Sequence, residues 1–325
     1  MGSDEARDAG PDPAEARRRM AIAGVGAVAL FLVVQLGALA LVDPFVSAGY
    51  QQVEDPTDPT NSVLYVGVLL VATGGILLVV RLGVEWVLRA VILLTSGLLA
   101  WYVLSVVVPA VVPGALGGWL ALAAAAGVTI ALYVHPEWYV IDAAGVLIGA
   151  GGAGLFGISF GPLPAILLLS ILAVYDAIAV YRTEHMLDLA ESVTDLRLPL
   201  VLVIPLSRSY SFLEAEGVGA QSEGPRDAFF IGLGDAVIPT VLVASAGVFV
   251  QAPSLGVPGL ALTLPALTAM LGTVVGLIAL LGMVAKGRAH AGLPLLNGGT
   301  IAGYLIGATA AGIPLVEAVG IAPYL

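Results

Sequence analysis

Residues 163–181, LPAILLLSILAVYDAIAVY, and residues 229–250, FFIGLGDAVIPTVLVASAGVFV, decide how this chain is read. Each run is continuous, apolar and long enough to cross the hydrocarbon core of a bilayer as an α-helix. Each also carries an aspartate, Asp176 in the first and Asp235 in the second. A carboxyl in such a helix is expensive unless it faces a partner or a water-filled cavity, so an intramembrane aspartate marks a functional site by default. Two of them on consecutive helices suggest one shared site.

The rest of the chain agrees with a membrane setting. It has 325 residues, 59% of them hydrophobic, and a mean hydropathy of +1.03. A soluble domain does not have that composition. The apolar stretches do not alternate, which excludes a transmembrane barrel. The expected fold class is therefore an all-α polytopic membrane protein. There are no cysteines, which removes disulfides, thiolate metal sites and cysteine nucleophiles. His135, His185 and His290 are scattered rather than paired at ligand spacing, so no metal and no other cofactor is expected. The net charge is −11, carried by acidic polar segments with a single lysine. That balance resembles the surfaces of halophilic archaeal proteins, and no nucleic-acid partner is expected.

Hydropathy and turn residues predict nine spans, near 20–42, 62–80, 84–108, 114–133, 139–157, 163–180, 229–250, 260–285 and 293–319. The first follows Arg17, Arg18 and Arg19 and is read as a retained signal anchor, because no clear cleavage site follows it. The chain then divides into a tail at 1–19, six spans over 20–180, a loop at 181–228 and three spans over 229–325. The basic residues lie in the tail, at Arg81 and Arg89, at Arg182, Arg197, Arg208 and Arg226 in the loop, and at Lys286 and Arg288. With nine spans all of these fall on one side, and the positive-inside rule makes that side cytoplasmic. The expected location is the cell membrane, with the N-terminus cytoplasmic and the C-terminus extracellular. Within the 181–228 loop, a charged helical stretch is expected around Glu184, Asp188 and Glu191. The apolar run LRLPLVLVIP is expected as a strand, and 214–227 as a polar, mobile segment.

On this topology Asp176 lies about 8 Å and Asp235 about 9 Å from the cytoplasmic helix ends, at 1.5 Å rise per residue. Packed helices at that spacing allow two carboxyls to share a water. Such a pair suits aspartyl proteolysis, in which one carboxyl takes a proton from the attacking water and the other polarises the scissile carbonyl. The same pair also suits an ion or proton relay in a transporter, or a polar contact holding two helices together. Depth alone does not choose among them.

The local sequence does. Asp235 ends Gly232-Leu233-Gly234-Asp235, a GxGD, and Asp176 follows Tyr175 in a YD pair. A third element, Pro294-Leu295-Leu296, opens the ninth span. The glycines strip side chains from the approach to Asp235, and the proline breaks the helix start in a way that frees backbone groups for an extended peptide. YD, then a loop, then GLGD at the start of the next span resembles the presenilin and signal-peptide-peptidase family of intramembrane aspartyl proteases. Nine spans with the pair on the sixth and seventh extend that resemblance over nearly the whole chain. The family's PAL turn has its counterpart in Pro294-Leu295-Leu296, with Leu295 in place of the alanine.

The resemblance implies a presenilin-like bundle, an aspartic endopeptidase that needs no cofactor, and Asp176 and Asp235 as its catalytic pair. It implies Tyr175, Gly232, Leu233, Gly234, Pro294, Leu295 and Leu296 as motif residues around them, with the Tyr175 hydroxyl able to hydrogen-bond in the site. Partners would be transmembrane-helix substrates and membrane lipid, with a homo-oligomer possible. Prepilin peptidases also use GxGD but have fewer spans. Among other polar residues, Asp142 is expected at the membrane interface, Glu317 near the outer end of the ninth span, and Tyr175 and Tyr181 as interfacial anchors.

Overall fold

The structure is a computed structural model that describes residues 13–182, 201–207, 210–213, 228–284 and 290–325. In chain order it contains α1 (Pro13–Ser47), α2 (Thr60–Arg81), α3 (Glu85–Val111), α4 (Ala115–Val134), α5 (Trp138–Ser159) and α6 (Pro162–Arg182). Strands β1 (Val201–Pro205) and β2 (Ala228–Gly232) follow, then α7 (Leu233–Phe249), α8 (Leu264–Val284), α9 (Leu293–Ala310) and the short α10 (Leu315–Val319). Helices α1 to α6 and α8 are each long and apolar enough to cross a membrane. The protein is a multi-pass helical membrane protein.

The first six helices fall where hydropathy predicts them. The last three begin or end elsewhere, each for a local reason. The expected seventh span starts late, because Ala228–Gly232 is strand rather than helix. It pairs antiparallel with β1, with Val203 opposite Phe230, leaving α7 only 17 residues. Helix α8 starts at Leu264, where the Thr263 hydroxyl caps it by accepting the Ala266 N–H at 3.3 Å. Helix α9 stops after 18 residues. Gly312 follows in a left-handed conformation at φ 81°, and Pro314 then caps α10. The strand expected in LRLPLVLVIP is present as β1. The helical stretch around Glu184 and the polar segment at 214–227 lie outside the described residues.

Helix α5 is the hub. Its run of glycines and alanines lets three neighbours approach at once. A methyl group at Gly157 would overlap Ala244 of α7, one at Gly151 would overlap Val103 of α3, and one at Gly154 would meet Phe45 of α1 at 3.2 Å. Helix α2 is the opposite case, with its apolar side chains turned outward. Helices α8 and α9 pack backbone to backbone. Gly272 and Gly276 face Gly299, Gly303 and the Leu295 carbonyl so closely that no side chain fits between them. This contact fixes where α9 begins, and α9 begins at the site.

Candidate active site

Asp176 lies near the end of α6, and Asp235 lies in the first turn of α7. The sequence reading put Asp235 deeper in its helix. The strand that precedes α7 removes that extra turn, yet both carboxyls still reach the same turn at the start of α9. Both carboxyls are partly buried.

The start of α9 joins them. The Leu293 N–H donates to Asp176 Oδ2 at 3.0 Å, and the adjacent Gly292 amide also hydrogen-bonds that carboxyl. On its other side, Gly292 faces Asp235. A Cβ built on Gly292 would lie 3.6 and 3.7 Å from the two Asp235 carboxyl oxygens. Gly232, the last residue of β2, flanks the same carboxyl, with its Cβ position 3.3 Å from Asp235 Oδ2. Asp235 therefore sits between two residues without side chains, which leaves space at its oxygens.

Pro294 stands in the first turn of α9, where its missing N–H costs nothing. The donors of that turn are all engaged. Leu293 donates to Asp176, and Leu295 and Leu296 donate to the Gly292 carbonyl at 3.2 and 3.1 Å. The expectation that the proline frees donors for an extended peptide is thus corrected, because those amides serve the aspartate and the turn itself. The Leu295 carbonyl packs on Gly276, where a Cβ would overlap it. Leu296 is fully buried among Ala27, Phe31, Ala236 and Leu277. One turn on, the buried Asn297 donates from Nδ2 to the Leu169 carbonyl of α6 at 2.8 Å. That bond makes a second tie between α9 and the helix carrying Asp176.

The remaining motif residues divide. Leu233 lays its Cδ1 in the groove left by Gly145 and Gly149 of α5, anchoring the start of α7. Gly234 is exposed, and a Cβ there would meet only Ile238 at 3.9 Å. No partner backbone approaches it among the described residues. Tyr175 is 48% exposed on α6. Asp142 is not simply interfacial. Its Oδ1 accepts the Val203 N–H of β1 at 2.7 Å. Gly292, Asn297 and Asp142 were the residues to find. The first two sit beside the Pro294 turn in the sequence, but nothing local signals the contact between Asp142 and a strand 61 residues away.

The family profile described as signal-peptide peptidase, presenilin aspartyl protease matches residues 28–313. The chain belongs to this family. It is similar to the solved structure of a presenilin family intramembrane aspartate protease in two crystal forms. The C222 form is 36% identical, over 89% of this chain and 99% of the other, with a TM-score of 0.67. The P2 form is 37% identical, over 88% and 97%, with a TM-score of 0.65. No curated protein is significantly similar. The protein is accordingly an intramembrane aspartic endopeptidase, a hydrolase acting on transmembrane substrates. That reading stands over the transporter alternative.

Proposed function

We propose that Asp176 and Asp235 are the catalytic pair of this protease, and that the Gly292–Leu296 turn holds them in register. The observation that carries the proposal is the double contact of one turn: Leu293 donates to Asp176 while Gly292 lies against Asp235. In the reaction the two carboxyls hold one proton between them. The ionised carboxyl takes a proton from water as the water oxygen attacks the scissile carbonyl carbon. The protonated carboxyl hands its proton to the carbonyl oxygen. The tetrahedral diol then collapses: the carboxylate left by that transfer takes a proton back from one diol hydroxyl as the C=O bond reforms, the C–N bond breaks, and the proton taken from water passes from the other carboxyl to the leaving amine. The pair titrates as a unit, so the acid and base roles belong to the pair.

The substrate helix must open locally before its peptide bond is accessible, and the β1–β2 sheet supports strand addition as the means. Among the described residues, the outer edge of β2 is the one without a strand or side-chain partner. The Val203 N–H points away from β2, toward Asp142. The Val203–Phe230 pair is therefore a non-hydrogen-bonded one, and the Phe230 amide and carbonyl face outward on the far edge of β2. The edge offered to the substrate is then that of β2, which runs directly into Gly232 and Asp235.

In this reading the chain crosses the membrane nine times, with the N-terminus and the 181–228 loop cytoplasmic. The support is the segregation of all its arginines and its lysine to one set of connections and the helix ends that flank them. The outward apolar side chains of α2, such as Val63, Leu64 and Val71, meet lipid. The test is incubation of purified protein with a transmembrane peptide, with and without an aspartyl-protease transition-state analogue. Cleavage that the analogue blocks, and that Asp176→Asn and Asp235→Asn each lose, supports the proposal. Cleavage that survives either substitution removes that residue from the pair.

A further inference from the structure

The described part of the chain between α6 and α7 is held by two carboxylates at the start of α5, and neither belongs to the catalytic pair. Asp142 Oδ1 accepts the Val203 N–H at 2.7 Å. Glu137, immediately before α5, accepts the Ser211 hydroxyl on Oε1 at 2.6 Å and the Phe212 N–H on Oε2 at 2.9 Å. The strand and the turn after it are thus tied at two points to the most buried helix of the bundle. Both faces of β1 are covered as well. Leu202 and Ile204 pack with Ala27, Phe31 and Val34 of α1. Val203 packs with Leu132, Ile141 and Phe212. What remains unpaired in the sheet, among the described residues, is the outer edge of β2.

We propose that Glu137 and Asp142 are positioning residues that lock β1 against sliding, so that the β2 edge presents an unwound substrate to the aspartates in a single register. This rests on the strand-addition reading above. An edge amide in an apolar setting needs an acceptor, and a carboxylate both satisfies it and blocks a further strand on that side. A sheet slips in steps of two residues, because an odd step exchanges its faces. With β1 tied at Val203 and the following turn tied at Phe212, the sheet is seated in one way on α5, and the outer edge of β2 is held in one orientation beside Asp235, three residues beyond Gly232. Without those ties the sheet gains alternative positions, and the cut site spreads along the substrate.

The experiment is mass spectrometry of the fragments from one transmembrane peptide, with kcat and KM measured separately. The enzymes are the wild type, Asp142→Ala, Asp142→Asn, Glu137→Ala and Glu137→Gln. In the alanine variants the expected result is a several-fold rise in KM and new products displaced by about two residues. The amide variants keep an acceptor and retain the wild-type product pattern. If both alanine variants cut at the wild-type sites with unchanged KM, the proposal fails, whatever happens to kcat. Should Asp142→Ala not fold, Glu137→Ala decides by the same readout, since it leaves Asp142 in place. A parallel substrate with N-methylated backbone amides around the cut tests the parent reading. If the wild type cleaves it as well as the unmodified peptide, strand addition itself is wrong.

Discussion

The Leu293 amide donates to the Asp176 carboxyl across 3.0 Å, so the first residue of α9 is joined to α6, three helices earlier in the chain. Gly292, one residue back, faces the Asp235 carboxyl. The spacing of the two aspartates is therefore set by α9 as much as by α6 and α7, which makes the contacts of α9 testable parts of the site.

Asparagine at either aspartate should lower cleavage by at least about a hundredfold, the usual range for losing a general acid or base. The two positions should differ in stability. Asp176→Asn retains an oxygen for the Leu293 amide, whereas Asp176→Ala leaves that amide without its acceptor. Thermal unfolding in detergent should show Asp176→Ala melting below Asp176→Asn, with both inactive. Equal melting would mean that the Leu293 bond contributes nothing.

Gly292→Ala should fold normally and turn over slowly. Gly292 has ordinary helical angles, φ −78° and ψ −47°, and the added methyl would sit at 3.4 Å or more from its neighbours. That methyl, however, occupies the space beside both Asp235 oxygens. A loss of kcat of roughly tenfold to a hundredfold is expected, as for other small misplacements at a reacting centre. Full activity would show that the substrate and water approach Asp235 from elsewhere.

Gly276→Ala and Gly282→Ala make a matched pair on α8. A methyl at Gly276 overlaps the Leu295 carbonyl, whereas one at Gly282 meets nothing within 4 Å. The first should cost about 1–3 kcal/mol of stability through overpacking and lower activity by displacing the Pro294 turn. The second should be silent in both assays. Thermal unfolding and initial-rate measurements on the two variants distinguish the outcomes, and a silent Gly276→Ala would contradict the close α8–α9 contact.

Glu137 gives an acid dependence whose sign follows from its bonds. Burial alone would push its carboxyl up, but hydrogen bonds from the Ser211 hydroxyl and the Phe212, Trp138 and Leu213 amides outweigh it and hold it below the usual carboxylate range. A group lowered in the folded state stabilises above its unfolded titration and loses that contribution as pH falls through the folded one. The 210–213 turn should therefore stay docked at neutral pH and release only below the ordinary glutamate range. Fluorine NMR of fluorinated Phe212, assigned with Phe212→Leu, should show one acid transition in the wild type. Glu137→Gln should abolish it. A transition at neutral pH would reverse the sign.

What the sequence disclosed, it disclosed through periodicity and charge. Uninterrupted apolar runs located α1 to α6, and an aspartate within such a run is conspicuous because the bilayer disfavours it. The end of β1 is marked by Pro205, and its Val, Leu and Ile content already favours a strand. Phe229–Ile231 was not separable from the helix that follows. It is equally apolar, and only pairing with β1 makes it a strand. The contacts that assemble the site were less legible still. Gly292 against Asp235, Asn297 against Leu169 and Asp142 against Val203 join residues 57 to 128 positions apart. No local preference encodes a contact of that kind. It arises when the glycines of α5 let α1, α3 and α7 close on that helix, and those of α8 and α9 let these two close on each other.

Substrate direction is the last expectation. If the basic connections are cytoplasmic, α6 descends toward the cytoplasm and α7 ascends from it, so the aspartates open near the cytoplasmic face. The β2 edge enters the site from the same side, through Gly232. A substrate pairing with that edge must present its unwound segment there. A single-span substrate with its N-terminus outside then places its C-terminal, cytoplasmic end against the sheet, and the antiparallel or parallel sense of pairing fixes which polarity fits. The resemblance to presenilins favours this orientation over its inverse. Two single-span substrates of opposite orientation, reconstituted with the enzyme, should therefore differ. The one with an external N-terminus should be cut, near its cytoplasmic end, by fragment mass spectrometry. Cysteines introduced between Arg182 and Arg226 should react with a membrane-impermeant reagent only after the vesicle interior is opened. Labelling of that loop from outside would invert the topology, and preferential cleavage of the other substrate would then follow from the same geometry.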